Sequence, residues 1–268
     1  MCLDEMGESW FIKSERFTYK PMEKQRGVFQ SLVRFTSGNE ELAASLALFS
    51  SFNDEELNDK SLKLLHPEEI KTGNGYALDI RRRSFLHGRI AAKMAVNQLF
   101  PDISPANLQI ATTFLGEPFL KNLAYPYAVS IAHEELWNAG LCFPLSIPMG
   151  VDVETIMEKN RKIISSILSD NEKDLCRREG DSLELFHVLW TAKEAAGKVI
   201  GLGFRVPAEW YEIEFVETLR TEPKLIRQCR FKNLSVFMAL SVEIPGGMLS
   251  IAFPAESNLS QTMIGLLQ

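Results

Sequence analysis

An α+β fold built from two similar halves is what this sequence predicts, and three observations carry the expectation. Apolar, strand-like runs occur at 42–50 (LAASLALFS) and at 149–154 (MGVDVE). Each is followed by a helix-start signal and then by a long amphipathic helix. Shifting the first half by 105 residues places LALFS under VDVET and Arg89-Ile90-Ala91-Ala92-Lys93 under Glu194-Ala195-Ala196-Gly197-Lys198. With 268 residues, 46% of them hydrophobic, the chain can bury a sizeable core.

In chain order, residues 42–50 read as a buried strand. His66-Pro67-Glu68-Glu69 then reads as a helix start, with proline in the first turn and acids near the positive end of the helix dipole. Residues 81–100 have Leu86, Ile90 and Met94 at i, i+4 spacing and predict a helix that Pro101 ends. CFPLSIPMG, residues 142–150, is the natural boundary, dividing the chain into halves at 1–146 and 147–268. After it, 149–154 predicts a strand and Ser169-Asp170-Asn171-Glu172 a capping box. Residues 183–200 predict a second amphipathic helix, ending at Gly201. In this alignment Ala47 and Phe49 stand where the second copy has Asp152 and Glu154, so only the second copy carries acidic chemistry.

Composition narrows the function. Twenty-nine Lys and Arg against 35 Asp and Glu leave a net charge of -6, the wrong sign for coating nucleic acid or an anionic membrane. Cys2, Cys142, Cys176 and Cys229 form no CxxC or Cys/His cluster, so a zinc site or disulfide framework is not expected and a reducing cytoplasm is. The start, MCLDEMGESW, is acidic where a secretion signal would be basic. The longest uncharged stretch, Leu136 to Val151, contains Pro144 and Pro148 and falls short of the roughly 20 apolar residues of a membrane span.

Asp152 and Glu154, two apart in a strand, leave the same face while Val151 and Val153 pack on the other. Adjacent carboxylates repel unless a proton or a cation intervenes, and Mg²⁺ with its preference for oxygen ligands suits them. By itself the same pattern also fits a solvated acidic strand face. Glu194 and Lys198 lie one helical turn apart and fit an exposed i, i+4 pair equally well. Trp190, Lys193 and the following GLGF, downstream of the paired acids, favour a functional reading. Arg82, Arg89 and Lys93 share a helix face that would grip phosphate or simply be solvated. His133, in SIAHEELW, follows a strand-like run (YAVSIAH). Gly201-Leu202-Gly203 lacks the third glycine and the preceding strand of a dinucleotide loop.

Together these pieces resemble the Sfp-type 4′-phosphopantetheinyl transferases. Gly150-Val151-Asp152-Val153-Glu154 is similar to that family's G-[IV]-D-x-E. Trp190 through Lys198 (WTAKEAAGK) is similar to its [WF]-x-x-K-E-x-x-x-K. RRRSFLHGR, Gly116-Glu117-Pro118 and SIAH follow the family's weaker motifs in order, so the resemblance covers about 65–205. It implies a pseudo-dimer of two α+β halves with the active site at their interface. The implied reaction moves the phosphopantetheine arm of coenzyme A onto a serine of an apo acyl or peptidyl carrier protein, releasing 3′,5′-ADP. Asp152, Glu154 and Glu194 would hold Mg²⁺, and Glu194 would also be the base. Lys198, with Lys193 secondary, would stabilise charge on the departing nucleotide. Arg89, His133 and one preceding arginine would bind the 3′-phosphate. Family alignment favours Arg81 there, whereas the shared helix face favours Arg82.

Two positions depart from the family. Ala132 stands where a Ser or Thr is usual, removing a hydroxyl donor, and Glu117 stands where Lys is common. A non-catalytic relative that binds carrier proteins is therefore one alternative, and a Mg²⁺-dependent phosphohydrolase or nuclease another. Lys159, Arg161 and Lys162, with Arg177 and Arg178, are candidates for docking an acidic carrier, or else a solvated face. Internal pseudo-symmetry makes a monomer sufficient.

Overall fold

The computed structural model describes residues 28–37, 40–220, 224–255 and 257–267; Cys2 and the acidic start lie outside them. The expected α+β class holds. In the first half, strands β1 (Val28–Ser37) and β2 (Glu40–Ser50) precede helices α1 (Asp54–Leu64), α2 (Pro67–Asn74) and α3 (Asp79–Leu99). A short β3 (Ile110–Thr112) and β4 (Pro118–Leu120) ribbon follows, then β5 (Tyr127–His133) and β6 (Trp137–Pro144). The first sheet has the order β1-β2-β6-β5 and is antiparallel throughout.

The second half runs β7 (Gly150–Thr155), α4 (Arg161–Ile167), α5 (Asp170–Arg178), α6 (Leu183–Val199), β8 (Ile213–Arg220), β9 (Ile226–Phe231), β10 (Phe237–Ile244), β11 (Gly247–Pro254) and α7 (Ser257–Leu267). Its antiparallel sheet has the order β7-β11-β10-β9-β8. No helix among the described residues is long and apolar enough to cross a membrane.

Alternation along the strands decides what packs where. Leu46 and Leu48 of β2 join Leu141, Val151, Val153, Leu240 and Ile251 in one apolar core shared by both sheets. The opposite face of the first sheet, including Ala47 and Cys142, packs on Ala92, Ala95 and Val96 of α3. The opposite face of the second sheet, including Ala239 and Ala252, packs on Leu185, Leu189, Ala192 and Ala196 of α6. Burying Val151 and Val153 gains roughly 1.5–3 kcal/mol each. That turns Asp152 and Glu154 toward α6, as the two-residue period requires.

Several hydrogen bonds around the first sheet recur around the second. Nε2 of His87 accepts the Phe52 amide at 3.0 Å just beyond β2, and Nε2 of His187 accepts the Met157 amide at 3.3 Å just beyond β7. Glu69 completes the capping box of α2, accepts the Ile110 amide and pairs with Lys93 at 3.0 Å. Glu172 completes the capping box of α5, accepts the Ile213 amide and pairs with Lys193 at 2.7 Å. Gln98 donates to the Leu46 carbonyl as Lys198 donates to the Val151 carbonyl.

These pairs keep the strand offset of 105 but correct the helix register. Lys93 corresponds to Lys193, an offset of 100, and the counterpart of Lys198 is Gln98. The Ala-Ala-to-lysine coincidence that suggested the other register is a feature of two small-residue helix faces, not of equivalent positions.

Both histidines are held neutral. Burial first, then the charge of Arg83, lowers the His87 pKa from its ordinary 6.5 to about 4. The folded pKa lies below the unfolded one, so stability is full above 6.5 and is lost as pH falls toward 4. The interval is worth about 3 kcal/mol. His87→Gln, which can still accept the Phe52 amide, should therefore lose less melting temperature than the wild type between pH 7 and pH 4. Parallel losses in the two proteins would remove His87 as the acid-sensitive group.

Candidate functional site

Gly150 opens β7 where α6 crosses it most closely. A Cβ there would lie 2.2 Å from the Ala195 carbonyl oxygen, so only glycine allows the approach that sets Glu194 beside Asp152. Asp152 is 6% exposed; its Oδ1 accepts from Lys198 Nζ at 2.8 Å, while its Oδ2 is buried without a hydrogen-bond partner. Lys198 also donates to the Val151 carbonyl at 2.9 Å. Oε1 of Glu154 accepts the indole N–H of Trp190 at 3.2 Å, and Trp190 stacks on Phe204 of the GLGF segment with centroids 5.4 Å apart. Phe204 meets the Tyr211 ring edge-on, and the Tyr211 hydroxyl donates to the Gly203 carbonyl. The glycine segment thus supports Trp190 from behind.

The three acids act on one another. Burial first, then the charge of Asp152, pushes the Glu154 pKa up to about 7, with Glu134 and Glu194 adding to the effect. Burial and then Asp152 push Glu194 to about 7 as well. Burial raises Asp152 against the opposing pull of Lys198. Such a set holds protons at neutral pH unless a cation discharges it.

As oxygen donors, with one buried carboxylate oxygen orphaned, these residues fit a hard divalent ion. Among the described residues, however, no three acid, imidazole or thiol groups stand close enough together to hold a metal without side-chain adjustment. Lys198, expected on phosphate, here neutralises Asp152 instead.

On the first half, the Ser84 hydroxyl is hydrogen-bonded to Nδ1 of His133 at 2.9 Å. The imidazole is pushed below its ordinary range by the crowding of the surrounding protein, then by the charges of Lys198, Arg89 and Arg81. Arg89 is 8% exposed, lies over the Phe85 ring and donates to Thr112 at 2.8 Å, and its buried Nε has no partner.

Of the two arginines the sequence leaves open, Arg82 is already paired with acids of its own half, Asp79 and Asp54. The charge of Arg81 reaches His133. The expected basic stripe does not exist. Lys93 is fully buried on Glu69, because α3 packs that face inward against the first sheet. Lys193 is likewise corrected as a phosphate contact: it is 1% exposed, and its ammonium is spent on Glu172.

A cavity of about 630 Å³ lies between the halves, lined by Phe119, Ser130, Ile131, Lys198, Leu202 and Phe204 among others. Glu117 also lines it, with its carboxylate directly over Gly201, which has φ +68° and leaves no room for a Cβ. Ala132, 2% exposed, belongs to the shared core, whereas His133, the next residue, is exposed. Lys159, Lys162, Arg177 and Arg178 are exposed, but Arg161 and Arg177 are paired with Glu158 and Asp174.

Sequence reasoning did not single out Ser84 or Glu134. Ser84 sits within the arginine motif without a pattern of its own, and Glu134 follows His133 in what reads as an ordinary turn.

Residues 148–245, which contain β7 and α6, match the model of the family described as the 4′-phosphopantetheinyl transferase superfamily. That stretch of the chain is similar to the superfamily. It is 27% identical over 157 residues to the 4′-phosphopantetheinyl transferase gsp of Aneurinibacillus migulanus, covering 58% of this chain and 62% of that protein. It is also 27% identical over 84 residues to a holo-[acyl-carrier-protein] synthase of Geobacter metallireducens, covering 31% of this chain and 67% of that one. The match thus spans about three-fifths of the length of gsp. The matched region includes all three acids and Lys198, while Arg81, Arg89 and His133 precede it.

Proposed function

We propose that this chain transfers the 4′-phosphopantetheine arm of coenzyme A to a serine of an apo acyl or peptidyl carrier protein, releasing 3′,5′-ADP. The observation that carries the reading is the seam itself. Lys198 bonds Asp152 and lines the cavity together with Ser130 and Ile131 of β5, the strand that ends in His133, which supports reading the acids and cations as one site between the halves. In this reading residues 1–146 supply the phosphate contacts and 147–268 the carboxylates and the catalytic helix.

Asp152, Glu154 and Glu194 would hold Mg²⁺, with Asp152 Oδ2 the oxygen most in need of a partner. Magnesium, when bound, neutralises charge on the transferring phosphoryl group. Glu194, ionised once the cation offsets its burial and the charge of Asp152, would take the proton of the carrier serine hydroxyl. Lys198 would move from Asp152 to the phosphates as the acids gain their cation, stabilising the departing nucleotide. Arg81, Arg89 and His133 would hold the 3′-phosphate, and Arg89 Nε is an unused donor for it. The apolar cavity beside them would take the nucleotide's base.

Incubation with Mg²⁺, coenzyme A and several apo carrier proteins, read by intact-protein mass spectrometry, tests the reaction. A carrier gaining one phosphopantetheine arm, and not gaining it with EDTA, is expected. If coenzyme A binds but no carrier in the panel is modified, the transferase reading falls in favour of a non-catalytic relative. Arg89→Ala should raise the KM for coenzyme A about 10- to 100-fold, the loss of a charge-assisted hydrogen bond, with kcat changed much less. An unchanged KM would move the phosphate site elsewhere.

A further inference from the structure

We propose that Glu134 is a positioning residue that keeps the carboxylates of β7 in register with His133. This rests on the reading of those carboxylates and of His133 as one site. Glu134 is the residue after His133, in the turn between β5 and β6, and its amide donates to the Trp137 carbonyl at 2.8 Å. A single carboxylate oxygen, Oε2, accepts both the Leu136 amide of the same turn at 3.1 Å and the hydroxyl of Thr155 in β7. Thr155 is 5% exposed and directly follows Glu154.

A second side-chain bond joins the same two strands: the Val151 amide donates to the Ser130 hydroxyl of β5 at 3.1 Å. The two bonds bracket Asp152 and Glu154, one on the residue before the first and one on the residue after the second. β7 is the edge strand of its sheet, with backbone pairing only to β11. On its other side these side-chain bonds tie it to the half that carries His133. The turn that presents Glu134 is itself anchored: the Ser51 amide donates to the Leu136 carbonyl and the Ser51 hydroxyl to the Glu135 carbonyl. The charge of Glu134 is close enough to act on Glu154. Residues that orient a ligating group through hydrogen bonds typically cost 10–100-fold in metal affinity or activity when removed.

Glu134→Ala and Thr155→Val break the bond from either side, whereas Glu134→Gln and Thr155→Ser keep an acceptor and a hydroxyl. Two readouts are used on purified protein: hydrogen exchange of the 151–155 amides without metal, and Mn²⁺ affinity by electron paramagnetic resonance. Glu134→Ala and Thr155→Val should each speed exchange of that segment and weaken Mn²⁺ binding about 10-fold, with the double variant no worse than either single. The two conservative variants should stay within about 3-fold of wild type, a margin below the expected loss. Exchange unchanged in Glu134→Ala and Thr155→Val, or additive effects in the double variant, would overturn the role. So would Glu134→Gln behaving like Glu134→Ala, since charge rather than the bond would then matter. A wild-type protein that takes up no Mn²⁺ would count against the carboxylate site, while the metal-free exchange would still decide for or against the Glu134 tie.

Discussion

Glu194→Gln is expected to lower phosphopantetheine transfer on the order of 10²- to 10⁴-fold while leaving the fold intact. Glutamine matches the shape of Glu194, yet it can neither take the serine proton nor offer a full charge to a divalent ion. The metal-free protein should respond in the opposite sense. Burial and Asp152 raise the folded pKa of Glu194 from 4.5 to about 7, so ionising it in the folded state is unfavourable. Wild-type stability from this group is therefore highest below 4.5 and declines as pH rises toward 7. Glu194→Gln escapes that decline. Melting curves in EDTA at pH 5 and pH 8 should show the variant gaining on the wild type at the higher pH. Full transfer activity in the variant would remove Glu194 from the chemistry.

Lys193→Met should be strongly destabilising, and it should act without touching the site directly. Lys193 and Glu172 are 1% and 0% exposed and paired at 2.7 Å. Removing the ammonium leaves the carboxylate buried beside only the Ile213 amide and its own helix cap. Breaking such a pair costs about 3–5 kcal/mol, which in a chain of this size lowers Tm by roughly 6–20 °C. Glu172→Gln added to Lys193→Met should recover part of the loss, because the amide oxygen still accepts the Ile213 N–H and no charge is stranded. A Tm within 2 °C of wild type in the single variant, well under the ~6 °C expected, would show that the pair contributes little. Equal loss in the double variant would assign the cost to packing instead.

The contrast between Lys193 and Lys198 shows where the sequence was legible. Both follow from one motif, five residues apart on one helix, and both carry the same charge. Lys198 faces β7 and the seam, whereas Lys193 faces α5 and the interior. Nothing in helical spacing separates these outcomes, because they depend on which element packs on each side of α6. The same holds on α3. Arg89 and Lys93 are one turn apart, but one is bonded to Thr112 near the seam and the other is sealed onto Glu69. Charged residues on a helix face read as gripping phosphate or as solvated, and the buried partner that changes the reading for Lys93 comes from α2, more than twenty residues away.

Local order determined a great deal. Period-two alternation put Asp152 and Glu154 on one side of β7 and Val151 and Val153 in the core. Proline and capping residues marked the starts of α2 and α5. Two strand-and-helix units were visible in the repeat, since backbone geometry converts spacing into a face without help from the rest of the chain. Tertiary structure alone decided the helix register of that repeat, the pairing of Arg82 with Asp79 and Asp54, and the tie from Glu134 to Thr155. Each is a contact between residues distant in sequence, set by how the sheets and helices pack, and a one-dimensional pattern carries no term for it.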